Sequence, residues 1–207
     1  MFSLNGPVYR TLSTFSRYLL LNILFLISCI FIVTIPPATA GLFAMTKKYS
    51  NREEPPLCRT FWHEFKENFI QSWTIYILFT PIFLILGIDI HLFLINGWTY
   101  SGAALVIILF ISLLTTSTFI HIFTLMAHTK LTTLNLVKNA LKLNLIKPHL
   151  TVLNLVVLVL LTFFASKILI LLPTIYFSVS AAITYRIAKA KFTKIISSQR
   201  DTESEPI

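Results

Sequence analysis

Four stretches of the chain carry almost no charge: Leu19–Ile35, Ser72–Ile88, Ala103–Ala127 and Leu150–Tyr185. Each is built from Leu, Ile, Val and Phe with scattered Thr, Ser and Asn. A helix crosses a hydrocarbon core of ~30 Å with about 20 apolar residues. The first three stretches therefore predict one transmembrane helix each, the first near the minimum length. The fourth has 36 residues. As one helix it would reach ~54 Å at ~1.5 Å per residue. It is expected to fold back near Ser166–Pro173 as two spans. Pro36-Pro37 is expected to stop the first helix, because neither proline can donate a backbone hydrogen bond. Gly41–Met45 then reads as a short stub leading into a Lys47–Pro56 loop. Pro81 predicts a kink in the second span. Asp89–Gly102 reads as a loop, with Asn96-Gly97 as its turn and Trp98 and Tyr100 suited to a membrane interface.

Two segments alternate differently. In Cys58–Gln71 the apolar residues Cys58, Phe61, Trp62, Phe65 and Phe69 recur at helical spacing. Arg59, His63, Glu64, Lys66, Glu67 and Asn68 occupy the other face. Such a helix lies in the headgroup plane or against a partner. Lys130–Lys147 has four lysines and no acid, with Asn135, Lys138, Asn139 and Lys142 on one stripe. It reads as a second interfacial helix, ended by Pro148.

Charge orients this pattern. The segments 46–68 and 128–149 and the tail after Tyr185 hold most of the Lys and Arg, whereas 89–102 holds none. Positive residues stay on the cytoplasmic side, so these three segments are expected inside and 89–102 outside, with Lys167 at an outer turn. A fully spanning first helix would put the N-terminus outside, and the charge pattern leans weakly that way. A hairpin broken at Pro36-Pro37 would put it inside. Ala38-Thr39-Ala40 resembles a signal-peptidase site, but the basic residues that follow argue against export of that segment.

Composition sharpens the class. The 207 residues are 56% hydrophobic and only 12% charged, with net charge +9, a pI of about 9.7 and mean hydropathy +0.79. The cations sit between apolar spans rather than interleaved with aromatics on one face, which points to an anionic leaflet and away from nucleic acid. Cys29 and Cys58 are far apart on this topology and predict no disulfide.

Candidate chemistry is sparse. His63-Glu64-x-x-Glu67 is one letter from the zinc motif H-E-x-x-H, but its second histidine is missing. The plainer reading is a charged helix face with i,i+4 pairs. Asp89 and His91 read as wetted loop residues. His121, inside the third span, is the candidate intramembrane polar site, where a proton-coupling or ligand role competes with hydrogen bonding to the Ser and Thr at 115–118 or to His128. Asn22, Thr74, Thr115, Asn154 and Ser178 read as interhelical hydrogen-bonding groups. No nucleotide loop, catalytic triad or acidic pair occurs, so no enzyme activity, cofactor or metal is expected.

Two stretches resemble a known family. Asn22-x-Leu24-Phe25 with Val33-Thr34-Ile35-Pro36-Pro37-Ala38-Thr39-Ala40-Gly41-Leu42, and Phe61-Trp62-x-x-Phe65-Lys66-x-Asn68-Phe69-x-Gln71, are similar to the YesL-like proteins, the domain of unknown function numbered 624. Pro36 departs from the family's more frequent glycine. The resemblance implies a small bacterial inner-membrane protein, often encoded beside carbohydrate-uptake ABC transporters. It supplies no catalytic residues.

The resulting expectation is an all-α polytopic bundle of about five transmembrane helices and two cytoplasmic amphipathic helices, residues 1–188, with a polar cytoplasmic tail, 189–207. Its partners would be the lipid bilayer and an ABC transporter subunit, docked through Phe61, Trp62, Phe65, Lys66, Asn68 and Phe69. Its role would be that of a non-enzymatic accessory or scaffold in the cell membrane. The alternative is a small sugar or solute permease component built around the broken first helix, Pro81 and His121.

Overall fold

The computed structural model describes residues 7–96, 102–168 and 170–203. These form eight α-helices: α1 Pro7–Ser28, α2 Ile35–Ser50, α3 Leu57–Glu67, α4 Phe69–Asn96, α5 Gly102–His128, α6 Thr133–Leu145, α7 Pro148–Lys167 and α8 Phe177–Glu203. A 3-10 turn at Ile32–Thr34 precedes α2, and a π turn at Leu172–Tyr176 leads into α8. Among the described residues there is no strand, as the all-α expectation requires. Gly97, Trp98 and Tyr100 of the expected outer loop lie outside the described residues.

α2 is the centre of the bundle. It packs against α1, α3, α4, α5 and α8, and Pro36–Ala38 and Ala40–Thr46 are buried. The reason is side-chain size: Ala38, Ala40, Gly41 and Ala44 let neighbouring helices approach closely, as small residues do in membrane bundles. The ideal Cβ position of Gly41 lies 3.1 Å from the Phe61 ring. The expected stub at Gly41–Met45 is thus the middle of the most enclosed helix. The prolines do not stop the first helix either. α1 ends at Ser28, and Pro36 and Pro37 occupy the first turn of α2, where the missing N–H has no helical partner to lose.

The first helix is one arm of a hairpin. Arg17 in α1 reaches Glu54, just after α2, at 2.6 Å, and the Tyr18 and Tyr49 rings meet edge-on at 5.6 Å. The start of α1 and the end of α2 therefore lie at the same end of the molecule. These contacts favour the hairpin alternative, with its break between Ser28 and Ile35 rather than at Pro36-Pro37, over a Leu19–Ile35 span that would leave those two ends on opposite sides.

α4, α5 and α7 are each long and apolar enough to cross a membrane, over Phe69–Ile95, Gly102–His128 and Pro148–Lys167. Only 11%, 11% and 17% of their most apolar windows are buried inside the chain. Surfaces such as Ile77, Leu84, Val106 and Phe110 thus need lipid as their solvent. α4 continues through Asp89 and His91 to Asn96, so these two residues lie on a helix rather than in a loop. α7 and α8 pair antiparallel, with Thr162 beside Tyr176 and Asn154 beside Thr184, as the fold-back requires. α8 runs on as helix through Glu203, across the point where the polar tail was expected to begin.

Candidate functional site

α3 carries most of the residues singled out for docking. Its aromatic stripe is used inside the chain. Phe61 is fully buried and Phe65 nearly so, packed on α2, because Gly41 leaves a flat place for the Phe61 ring. Phe69 is half-buried at the start of α4, 6.0 Å ring to ring from Phe65. Asn68 ends α3 and donates through Nδ2 to the Glu64 carbonyl at 2.8 Å, while its own carbonyl accepts from the Ser72 N–H at 2.9 Å. Asn68 is therefore the joint between α3 and α4. What faces outward is Arg59, Trp62, His63 and Lys66, a cationic and aromatic strip at helical spacing.

The His63-Glu64-x-x-Glu67 segment is engaged by lysines. Glu67 accepts a hydrogen bond from Lys130 and lies 3.6 Å from His63, and Glu64 lies 3.8 Å from Lys48. Hydrogen bonding to Lys130 holds the Glu67 carboxyl below its usual range. Among the described residues no three His, Cys, Asp or Glu side chains come together as metal ligands. The same end of the bundle is laced by backbone caps. Lys47 donates to the Ala127 carbonyl at 2.9 Å, near the C-terminus of α5 where cations are favoured, and Gln71 donates to the Leu131 carbonyl at 2.7 Å.

His121 sits at the heart of a polar cluster linking α5, α6, α7 and α8. Its Nδ1 lies 2.7 Å from the Ser117 carbonyl, which can only accept, so Nδ1 carries the proton and Nε2 accepts. The donor to Nε2 is Lys191 Nζ at 3.1 Å. The same ammonium donates to Thr151 Oγ1 at 2.6 Å and to the Leu143 carbonyl at 3.3 Å, so its three protons meet three acceptors. Ser117 donates to Asn144 Oδ1, and Asn144 Nδ2 donates to Thr118 Oγ1, each at 2.7 Å. Lys191 is fully buried and has no carboxylate among these partners. His128, by contrast, is engaged elsewhere, 3.3 Å from the Tyr185 hydroxyl.

The sequence alone does not single out Lys191, one of four cations in the 189–207 tail that reads as polar. One signal points to it. Ala181, Thr184, Tyr185, Ala188 and Lys191 form a single buried stripe of α8 at helical spacing. The interhelical polar residues divide. Asn22 receives the Phe177 and Ser178 N–H groups on Oδ1 at 3.0 and 3.1 Å and donates to the Pro173 carbonyl at 2.8 Å, so it caps the start of α8 from α1. Asn154 accepts from Thr184 at 3.2 Å. Thr74 and the Ser178 hydroxyl bond to their own helical segments.

A cavity of about 320 Å³ lies beside Pro81, lined by Tyr76, Phe79, Thr80, Phe83, Leu84 and Phe119. It holds no charged group. Thr80 donates to the Tyr76 carbonyl at 2.7 Å, next to the turn where Pro81 lacks its N–H.

Long apolar helices with lipid-facing flanks, packed round a small-residue helix, define an α-helical membrane protein. Residues 18–90 match the family described as "Protein of unknown function, DUF624". The match runs from Tyr18 in α1 to Ile90 in α4 and takes in the α2–α3 contact, so the resemblance to the YesL-like proteins holds over this segment. No curated protein matches the chain, and no solved structure matches it.

Proposed function

We propose that this chain is a non-enzymatic accessory of the cell membrane, with its basic end and C-terminus in the cytoplasm, where α3 docks a partner protein. The observation that carries this is the division of α3. Phe61 and Phe65 fix the helix rigidly on α2, which leaves Arg59, Trp62, His63 and Lys66 presented outward. Trp62 rests edge-on against Phe61 and Phe65 and keeps 40% of its surface open, and a held, part-exposed Trp among cations suits the anchor of an interface. The genomic setting of the YesL-like proteins points to an ABC transporter subunit of carbohydrate uptake as that partner. The polar groups of the alternative permease reading, His121 above all, are occupied within the chain, and the cavity beside Pro81 is apolar, which suits a sugar poorly.

The test is photo-crosslinking in membranes from a carrier introduced at Lys66, with and without Trp62→Ala. The proposal predicts a crosslink to a transporter subunit, lost in the variant. No crosslink to any transporter subunit, or one indifferent to Trp62, would contradict it. Phe61 and Phe65 are unsuitable probes of docking, since their loss would unseat the helix itself.

A further inference from the structure

A second cleft, of about 750 Å³, opens between the first half of α1, the end of α2 and α8. Arg17, Arg52 and Arg186 line it together with Tyr18 and Tyr49, and Glu54 is the one acidic residue among its lining. That carboxylate is committed to Arg17 at 2.6 Å. Neither Arg52 nor Arg186 forms an ion pair with a described residue.

Arg52 stands in a conformation that costs energy. It follows α2 with φ 63°, in the left-handed region where side-chain-bearing residues are strained by roughly 1–2 kcal/mol. The Glu53 N–H reaches back to the Lys48 carbonyl at 3.0 Å, and the Arg52 N–H to the Tyr49 carbonyl at 3.0 Å. This is a helix-ending motif in which glycine is the usual occupant. An arginine in glycine's place adds nothing to the turn. It adds a cationic side chain to the lining of the cleft. Two ties hold the turn in position. Arg17 binds Glu54 on one side, and Lys189 donates to Asn51 Oδ1 at 2.8 Å on the other.

We infer that this cleft binds a phosphate-bearing anion, with Arg52 and Arg186 as its forked donors and the tyrosine hydroxyls as further ligands. The anion is a phospholipid headgroup or a small soluble phosphate ester. From Arg17 toward the apolar half of α1, Leu20, Ile23 and Ile27 are exposed, so an acyl chain has an apolar surface to follow.

The experiment uses the full chain in phosphatidylcholine nanodiscs. One arm titrates pyrophosphate by calorimetry. The other exchanges in phosphatidic acid and measures its retention by native mass spectrometry. Binding in the first arm assigns a soluble ester, and retention in the second alone assigns a headgroup. In whichever arm binds, Arg52→Gly and Arg186→Gln each weaken binding by about tenfold or more. The melting temperature of Arg52→Gly stays level or rises, because glycine relieves the turn. Absence of binding in both arms, or binding that both variants leave unchanged, overturns the inference. A lowered melting temperature in Arg52→Gly would make Arg52 a structural residue and overturn its assignment as a ligand.

Discussion

At the scale of single residues, the bundle depends on a few positions where size or hydrogen bonding leaves no freedom. Gly41 is one, because any side chain there meets the Phe61 ring. Gly41→Leu is expected to cost about 1–3 kcal/mol through overpacking, read as a lower unfolding midpoint in detergent. The Lys191 cluster is another. Lys191→Met or His121→Leu alone strands buried donors and acceptors, at a cost of about 1–3 kcal/mol. The double variant removes both ends and is expected to cost less than the sum, which a double-mutant cycle of denaturation midpoints checks. Glu67 supplies a pH dependence. Its carboxyl is depressed below the model-peptide value of 4.5, first by the Lys130 hydrogen bond. Its stabilisation is therefore present above that value and is lost as pH falls through the depressed one. The group is largely exposed, so the effect is small. Glu67→Gln should flatten that part of the acid limb, and an unchanged limb would show that the pair contributes nothing.

At the scale of elements, α3 and α2 form one unit. Phe61→Ala removes a fully buried ring and is expected to cost about 3–5 kcal/mol, whereas Trp62→Ala removes a part-exposed ring with edge contacts to Phe61 and Phe65 and should cost about 1–2 kcal/mol. Comparable losses for both would mean that α3 is not seated as described. This is also where the sequence was only half legible. The period of Cys58–Gln71 marks an amphipathic helix, but periodicity does not say whether the apolar face meets lipid, a partner or the chain itself. Gly41 decides that, and its role depends on a ring 20 positions away. α6 shows the same ambiguity resolved on both sides. Leu136, Ala140 and Leu143 pack inward while Leu134, Leu141 and Leu145 remain exposed beside Lys138 and Lys142, so the helix both joins the bundle and offers an interfacial face. Pro36-Pro37 reads either way in the sequence, because proline is a stop signal within a helix and a start signal in its first turn, and α2 uses it as a start.

At the scale of the whole molecule, the long spans were legible because length and hydropathy are local properties. Helices α4, α5 and α7 and the fold-back before α8 lie where the apolar runs put them. The partners of those helices were not legible. Lys191 finds His121 across 70 positions and Asn22 finds Ser178 across 156, and such pairings exist only once the bundle is assembled. The same holds for the α1–α2 hairpin, whose closing contacts join Arg17 to Glu54 at a site where charge counting leaned the other way.

That hairpin fixes the topology of everything after it, so sidedness tests it most directly. Single cysteines at Ser13→Cys, Ser50→Cys and Asn96→Cys, in a chain with Cys29 and Cys58 replaced by Ser, would be challenged in intact cells with a membrane-impermeant maleimide. The hairpin predicts that positions 13 and 50 behave alike, and the proposed cytoplasmic basic end adds that both stay protected until the membrane is opened while position 96 reacts at once. Labelling of 13 with protection of 50 would mean that α1 crosses the membrane alone, and would contradict the fold described.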